Sequence, residues 1–429
     1  MQPDLVRLEA QRTFQAALQR QLAMLRQDAG DRLVPVARMA EDFADLSRIE
    51  AAADQILSDI GLRFEGDPET LELLNAAGFP AKGDCVRLDG PALRRLIATH
   101  APRQFVLRAR NPSRSLTIGQ GMVCAPAYGA PTVLTLTGDR RAGNLSLYQS
   151  LVSMAHAAEG IGNTGHLLCV LNDQPEPLRP FQMALAHLEL SDKTFMGPVS
   201  SPQDLVDVSV ATEEVIALPP GLGACNLLHL INATPPLTYK ANPLKCLRAA
   251  AERGEGCVVT SYMMMGATSP VTIAGTLAQG YAEVMAGLAL CQLWRPGAPV
   301  IAGIFGTPFD MQHMIPRFGD PATALIQHLA TALARRLGVP VRGDGGVSSA
   351  KSDDAQAGYD GGAALMHCQA TGADFVLHAA GWLEQGRTMG LAKFRREAMA
   401  LPPSGPALLP HAADPRLMAD LRHRWGLRA

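Results

Sequence analysis

Between residues 122 and 400 the sequence repeats one pattern: a short apolar run, a loop of small residues, then a stretch with helical periodicity. The apolar runs are "MVCAPA", "HLLCVL", "TFMGPV", "NLLHLI", "CVVTSY", "VIAGIF", "VPVRG" and "DFVLHA". The helices start near Ser146, Pro180, Gln203, Pro243, Ser269, Pro321, Asp353 and Gln385. Unbroken apolar strands separated by helices predict parallel strands buried on both faces. Eight such units favour an α/β fold of the (β/α)8 TIM-barrel type, with an open doubly wound sheet as the alternative. In a barrel the loops that follow the strands gather on one face, and that face does the chemistry.

The flanks divide the chain further. Residues 1–100 read as an N-terminal helical region, 101–120 as a short β-rich connector, 121–400 as the barrel and 401–429 as a short C-terminal tail. "MQPDLVRLEAQRTFQAALQRQLAMLRQ" is charged throughout, so it reads as an amphipathic helix and not as a signal peptide. "DLSRIEAAADQILSDIGLRF" sets Ile49, Ala53, Ile56 and Leu57 on one stripe, and "DPETLELLNAAGF" opens on an acid and stops at a glycine. Within "PTVLTLTGDRR", Gly138 and Asp139 mark a hairpin tip. With 47% hydrophobic and 18% charged residues in 429, a large core is expected. A net charge of -2 without a basic block gives nucleic acid or an anionic membrane nothing to hold. The eight cysteines form no C-x-x-C pair, which suits a reducing cytoplasm, and no apolar run reaches the roughly 18 residues of a membrane span.

The loops expected at the barrel mouth narrow the chemistry. The histidines are dispersed and no H-x-H or H-E-x-x-H occurs, so no metal is expected unless distant loops assemble its site. There is no P-loop and no G-x-S-x-G elbow. "GDGGVSSAKSDDAQAGYDGG", Gly343 to Gly362, could wrap an anion at a helix start, but Asp344, Asp353 and Asp354 would repel one. A cation fits better. Tyr128, Tyr262, Phe305, Phe309 and Trp382 all fall at or just beyond strand ends, with Asp310, Asp344 and Glu384 near them. An aromatic cage with carboxylates holds a methylated ammonium by about 2 kcal/mol of cation–π attraction once desolvated. The plainer reading of each ring is packing between the barrel top and a helix. By the same standard His378 is a satisfied barrel histidine, and Lys351 with Asp353 a solvated pair at a helix start.

From Ala51 to Lys393 the chain resembles the trimethylamine methyltransferase family, corrinoid-dependent amine demethylases with a (β/α)8 barrel. The likeness is carried by "SPVTIAGTLAQGYAEVMAGLALCQLWRPGAPV", "FDMQ", "AKSDDAQAG" and "AGWLEQG" in the same order and spacing. The resemblance implies that Val347 occupies the position where founding members carry pyrrolysine. A tertiary amine needs prior activation before it can leave, whereas a quaternary ammonium departs as a neutral amine, so valine there implies a quaternary, betaine-type methyl donor. The acceptor would be Co(I) of a separate corrinoid protein, since this chain has no D-x-H-x-x-G motif and would bind no cofactor of its own. Asp344, Val347, Lys351, Gln356 and His378 would then shape the reacting loop or hold a substrate carboxylate. Tyr128, Tyr262, Phe305, Phe309, Asp310, Trp382 and Glu384 would surround the amine. Three departures stand out: Tyr281 where the family has asparagine, Pro235 where serine is common, and a shorter C-terminal part, expected to bear on oligomerisation, corrinoid-protein docking or activity. The expected partners are a small methylated amine, a corrinoid protein and further copies of the chain. The alternative is a non-catalytic barrel that binds a methylated amine or a protein partner.

Overall fold

The computed structural model describes residues 46–221, 223–403 and 412–427. The amphipathic helix expected at the very N-terminus lies outside them. The protein is mixed α/β, and its centre is a succession of parallel segments. Strands β1 (Val123–Cys124), β2 (Leu228–Asn232), β3 (Gly256–Met265), β4 (Val300–Asp310), β5 (Arg342–Gly343) and β6 (Phe375–Val376) are its regular members. β2, β3 and β4 form one ladder, and β5, β6 and β1 another. A parallel bridge from Ala302 to Val341 joins the two. Between β1 and β2, Asn163 bridges Thr194 and Met196 bridges Leu228, while the Gly162 and Asn163 amides donate to the Cys124 carbonyl. Each segment thus pairs with the next, through short ladders and single bridges rather than one continuous sheet.

Helices follow the segments in turn. Helices α1 (Leu46–Gln55), α2 (Pro68–Ala76) and α3 (Gly90–His100) precede β1. After it come α4 (Leu145–Ala157), α5 (Arg179–Leu190), α6 (Pro202–Ile216) and α7 (Ala241–Arg253). α8 (Ile273–Trp294), α9 (Pro321–Arg336), α10 (Ala355–Thr371) and α11 (Leu391–Ala400) follow. Their starts are written locally. Asn144, Ser201, Thr272, Asp320 and Asp354 each accept a backbone amide of the first turn through the side chain, satisfying a donor the helix itself cannot. α8 is apolar on every side and buried along nearly its whole length, as a helix without a polar face must be.

The second parallel segment departs from expectation. "HLLCVL" is irregular, and the pairing falls a few residues earlier, at Asn163. "GIGNTG" has no β-branched run to announce a strand, but tight packing requires its small residues: a Cβ on Gly160 would stand 2.5 Å from that of Leu401. The N-terminal region differs too. Leu62–Phe64 is a strand, pairing with Cys85–Val86 and, in parallel, with Thr238–Tyr239. Leu62 and Phe64 face inward while Arg63 faces out, and the α1 stripe ends at Gly61, which takes φ +82°. Tyr281, one of the three departures, is buried on α8 and its hydroxyl donates to Glu50 of α1, so it ties the N-terminal helices down.

Phe105–Leu107 and Leu116–Ile118 form the β-rich connector, and Phe105, Leu107 and Ile118 pack against Val123, Leu228, Val258, Ile301 and Phe375. That apolar plug fills the end of the succession where the strands begin. Helix α12 (Pro415–Arg424), within the expected C-terminal tail, lies on α5 and α6 through Met418, Leu421 and the pairs Arg422–Glu189 and Arg424–Glu214. Among the described residues no helix is long and apolar enough to cross a membrane.

Candidate functional site

Side chains alternate along a strand, so the residues two steps beyond the apolar plug share its inward direction. On β3 the inward series runs Val258, Thr260, Tyr262, and on β4 it runs Ile301, Gly303, Phe305. Arg342 and then Asp344 continue it at β5. Gly303 decides what fits at the middle level. A Cβ there would lie 2.5 Å from Thr260 Oγ1 and 3.0 Å from Arg342 Cδ, so only glycine lets the arginine chain cross the interior. Gly303→Ala is therefore expected to cost roughly 1–3 kcal/mol of stability through overpacking, read as a lower midpoint of thermal unfolding.

Above that level the aromatic rings make one continuous band. Tyr262 and Phe305 have centroids 4.9 Å apart, Phe318 stands 5.9 Å from Phe305 and 6.4 Å from Tyr262, and Trp382 meets Phe318 edge-on at 5.4 Å. His378 closes the run 4.4 Å from Trp382. The Arg342 guanidinium sits over the Phe305 ring at 4.8 Å, a cation–π contact inside the protein. Val347 is buried in the same apolar cluster as Phe305, Phe318 and Trp382.

Beside this band lies a cluster of unspent polarity. Asp344 is buried, and among the described residues neither of its oxygens has a hydrogen-bond partner. The nearest Arg342 nitrogen stands 3.6 Å away, too far for a hydrogen bond but close enough for charge attraction. Arg342 itself is buried with Nε and one terminal nitrogen unbonded, and Thr260 Oγ1 and Trp382 Nε1 are in the same condition. Buried polar atoms are almost always satisfied, so several orphans at one strand end mark a place built to receive something. Burial pushes the Asp344 carboxyl up to about 7, with Arg342 pulling the other way, and burial drives the Arg342 guanidinium down. Burial, and then the charge of Asp344, raise the Tyr262 phenol.

The loops after β5 and β6 hold these groups in place. Phe318 N–H donates to Ser349 Oγ, and that hydroxyl donates back to the Phe318 carbonyl. Ser348 Oγ donates to Asp360 on α10. His378 takes φ +65°, a conformation that side chains rarely adopt and that is stored at functional sites when surrounding structure over-determines it. Its Nδ1 accepts the Tyr128 amide at 3.2 Å, which leaves the proton of a neutral ring on Nε2. Burial, then Arg342, push its basicity well down, so the ring is neutral.

The structure thus brings together Tyr262, Phe305, Trp382, Asp344, Val347 and His378, with Tyr128 attached through its backbone. It places the rest elsewhere. Phe309 is half-buried in the pairing of β4 with Ile315–Pro316, beyond the band. Asp310 caps its own turn, accepting the Gln312 and His313 amides and lying 3.0 Å from His313 Nδ1. Glu384 pairs with Arg140 and accepts from Thr388, joining a hairpin to its neighbour strand. Lys351 and Gln356 are exposed: the loop that leads into α10 turns their side chains toward water, and Gln356 donates to Asp360 on its own helix. Arg342 and Phe318 are the residues that sequence reasoning missed. The signal for Arg342 was present, because a lone arginine closing the apolar run "VPVRG" must be buried and matched to an acid. Phe318 gave none, since it lies in a turn remote from every apolar run expected as a strand.

The profile of the trimethylamine methyltransferase (MTTB) family matches residues 9–401. The chain is similar to the glycine betaine methyltransferase of Desulfitobacterium hafniense (strain Y51), 35% identical over 356 residues that cover 81% of this chain and 73% of that protein. It is also similar to the proline betaine:corrinoid methyltransferase of Eubacterium limosum, 26% identical over 79% of this chain and 71% of the other. Among solved structures, MtmB in its hydroxylamine complex superposes with a TM-score of 0.56 at 12% identity, covering 89% of this chain and 74% of that one, a likeness of fold.

Proposed function

The chain belongs to the trimethylamine methyltransferase family, and from that premise we propose that it moves a methyl group from a small betaine-type quaternary amine to the Co(I) of a separate corrinoid protein. The observation that carries this reading is the buried pair of opposite charges with unspent hydrogen-bonding atoms beside the aromatic band. A betaine is itself a zwitterion: its ammonium matches the ring faces and Asp344, its carboxylate the free donors of Arg342 and Trp382 Nε1. We also take the succession of parallel segments as a (β/α)8 barrel over residues 121–400, with this site at its mouth. In that reading the protein works in the cytoplasm as a homo-oligomer, and the corrinoid arrives with its carrier protein.

The reaction needs no proton from the enzyme. The acceptor supplies an electron pair to the methyl carbon, the carbon–nitrogen bond breaks, and its pair stays on nitrogen, which leaves as a neutral tertiary amine. Positive charge at nitrogen disappears along the way, so a site that desolvates the cation favours the transfer. The rings hold the ammonium by polarisable faces, and Asp344 adds one opposing charge that Arg342 partly offsets. Val347 contributes an inert wall, which suits a donor that needs no activation. The neutral His378 and the fixed loops hold the methyl in line.

The test is direct. Purified protein incubated with cob(I)alamin and a panel of betaines, choline and tertiary amines is expected to methylate the cobalt with betaines and not with tertiary amines. Protection against thermal unfolding by a betaine with no methyl transferred would instead identify a binding protein, and transfer from a tertiary amine would overturn the reading of Val347.

A further inference from the structure

Helix α11 carries Lys393 and Glu397 one turn apart, both buried. A buried ion pair offsets its desolvation only when its remaining protons and lone pairs are also used. Here they are spent on the backbone of two different loops. Lys393 Nζ donates to Glu397 Oε1 and, at 2.9 Å, to the Gly346 carbonyl. Glu397 Oε2 accepts the Gly381 amide at 2.9 Å. Gly346 immediately precedes Val347, and Gly381 immediately precedes Trp382. The Gly346 amide donates to the His378 carbonyl, which closes the circuit between the loop after β5 and the loop after β6. Glycines make room for the pair. A Cβ on Gly361 would lie 2.3 Å from Glu397 Oε1 and 2.9 Å from Lys393 Nζ, and one on Gly346 would lie 3.1 Å from Glu397 Oε1.

We propose that Lys393 and Glu397 are positioning residues for the methyl donor: as a two-headed clamp they fix the spacing of Val347 and His378 against Trp382, and so the shape of the aromatic band. An apolar pair could pack α11 as well, but it could not hold a carbonyl of one loop and an amide of another at once. The inference rests on the reading of the mouth as a betaine site. Because the clamp touches neither donor nor acceptor, it acts through geometry alone, and displacing a positioned group by a fraction of an ångström costs binding and turnover.

Three full-length variants test it by calorimetric titration with glycine betaine, with the thermal midpoint and transfer to cob(I)alamin measured alongside. K393M/E397M removes both charges together, so no lone buried charge remains. It is expected to bind about tenfold more weakly while still melting cooperatively. G361A keeps every charge and pushes the pair aside from α10, where alanine suits the helix, and should lose affinity about threefold. E397Q keeps the shape but replaces one acceptor oxygen by an amide N–H2, which cannot accept from Lys393 or Gly381, and should lose affinity at least about threefold. Wild-type affinity in a folded K393M/E397M overturns the proposal. If that variant fails to fold, wild-type affinity in G361A overturns it instead, as does wild-type affinity in a folded E397Q. A parent chain that takes up no glycine betaine sinks the betaine reading and this proposal with it, whereas a binding parent with indifferent variants sinks only this one.

Discussion

Asp344→Asn is expected to weaken glycine betaine binding at pH 8 by roughly 100-fold, about 2.7 kcal/mol, because it removes the carboxylate facing the ammonium and leaves Arg342 as an uncompensated buried cation beside it. The carboxyl is buried and pushed up to about 7, which makes the effect depend on pH. Below that value the parent protein holds Asp344 protonated, and binding is already weak. As pH rises through 7 the carboxylate forms and affinity climbs, while the variant stays flat. Stability runs the other way. The folded chain keeps a proton that the unfolded chain, with a carboxyl near the ordinary value of about 4, has released. This group therefore favours the fold most at the acid end, and that contribution is lost as pH rises from about 4 through about 7, a slope the variant should lack. Titrations with glycine betaine at pH 6 and pH 8, with urea midpoints over the same range, check both. Equal affinity of parent and variant at pH 8 would remove Asp344 from the site.

Arg342→Met is expected to invert selectivity more than it reduces uptake. Glycine betaine should lose roughly 30-fold in affinity, about 2 kcal/mol, because its carboxylate would face a thioether in a buried setting. Tetramethylammonium, with no carboxylate, should bind as well as before or better, since the competing cation over Phe305 is gone. Without Arg342 the pull that opposes burial at Asp344 also vanishes, so the carboxyl rises further and the pH onset of binding moves upward. Arg342→Lys should not restore the betaine preference, because an ammonium offers no planar fork to a carboxylate. Paired titrations of the two ligands against each variant decide it. A parallel loss for both would mean that Arg342 supports the fold of the mouth and not the carboxylate.

Much of the mouth was legible residue by residue, and the pattern of what was missed is physical. Tyr262, Phe305 and Asp344 follow from their places at or just beyond the ends of apolar runs, and strand parity explains why those places point inward. Val347 follows from the resemblance to the family. Asp310 and Glu384 stand near strand ends in the chain, and Lys351 and Gln356 come from the resemblance, but neither nearness nor resemblance fixes the direction of a side chain. One residue past a strand the backbone turns, and a polar side chain there finds its own turn, a neighbouring hairpin or water first. Phe318 shows the converse, reaching the band from a loop that folds back after β4.

The alternation of apolar runs with helices determined that the central strands are parallel, because hydrophobic burial on both faces leaves a strand few other partners. The caps of the helices were equally local, each a side chain answering an amide two or three residues away. Which polar groups came to share the interior was decided only by tertiary structure. Arg342, Thr260 and Trp382 come from distant parts of the chain, and what sets them apart is that among the described residues they hold buried polar atoms without hydrogen-bond partners. A sequence states where hydrogen-bonding atoms are; only the closed fold determines which of them remain unspent.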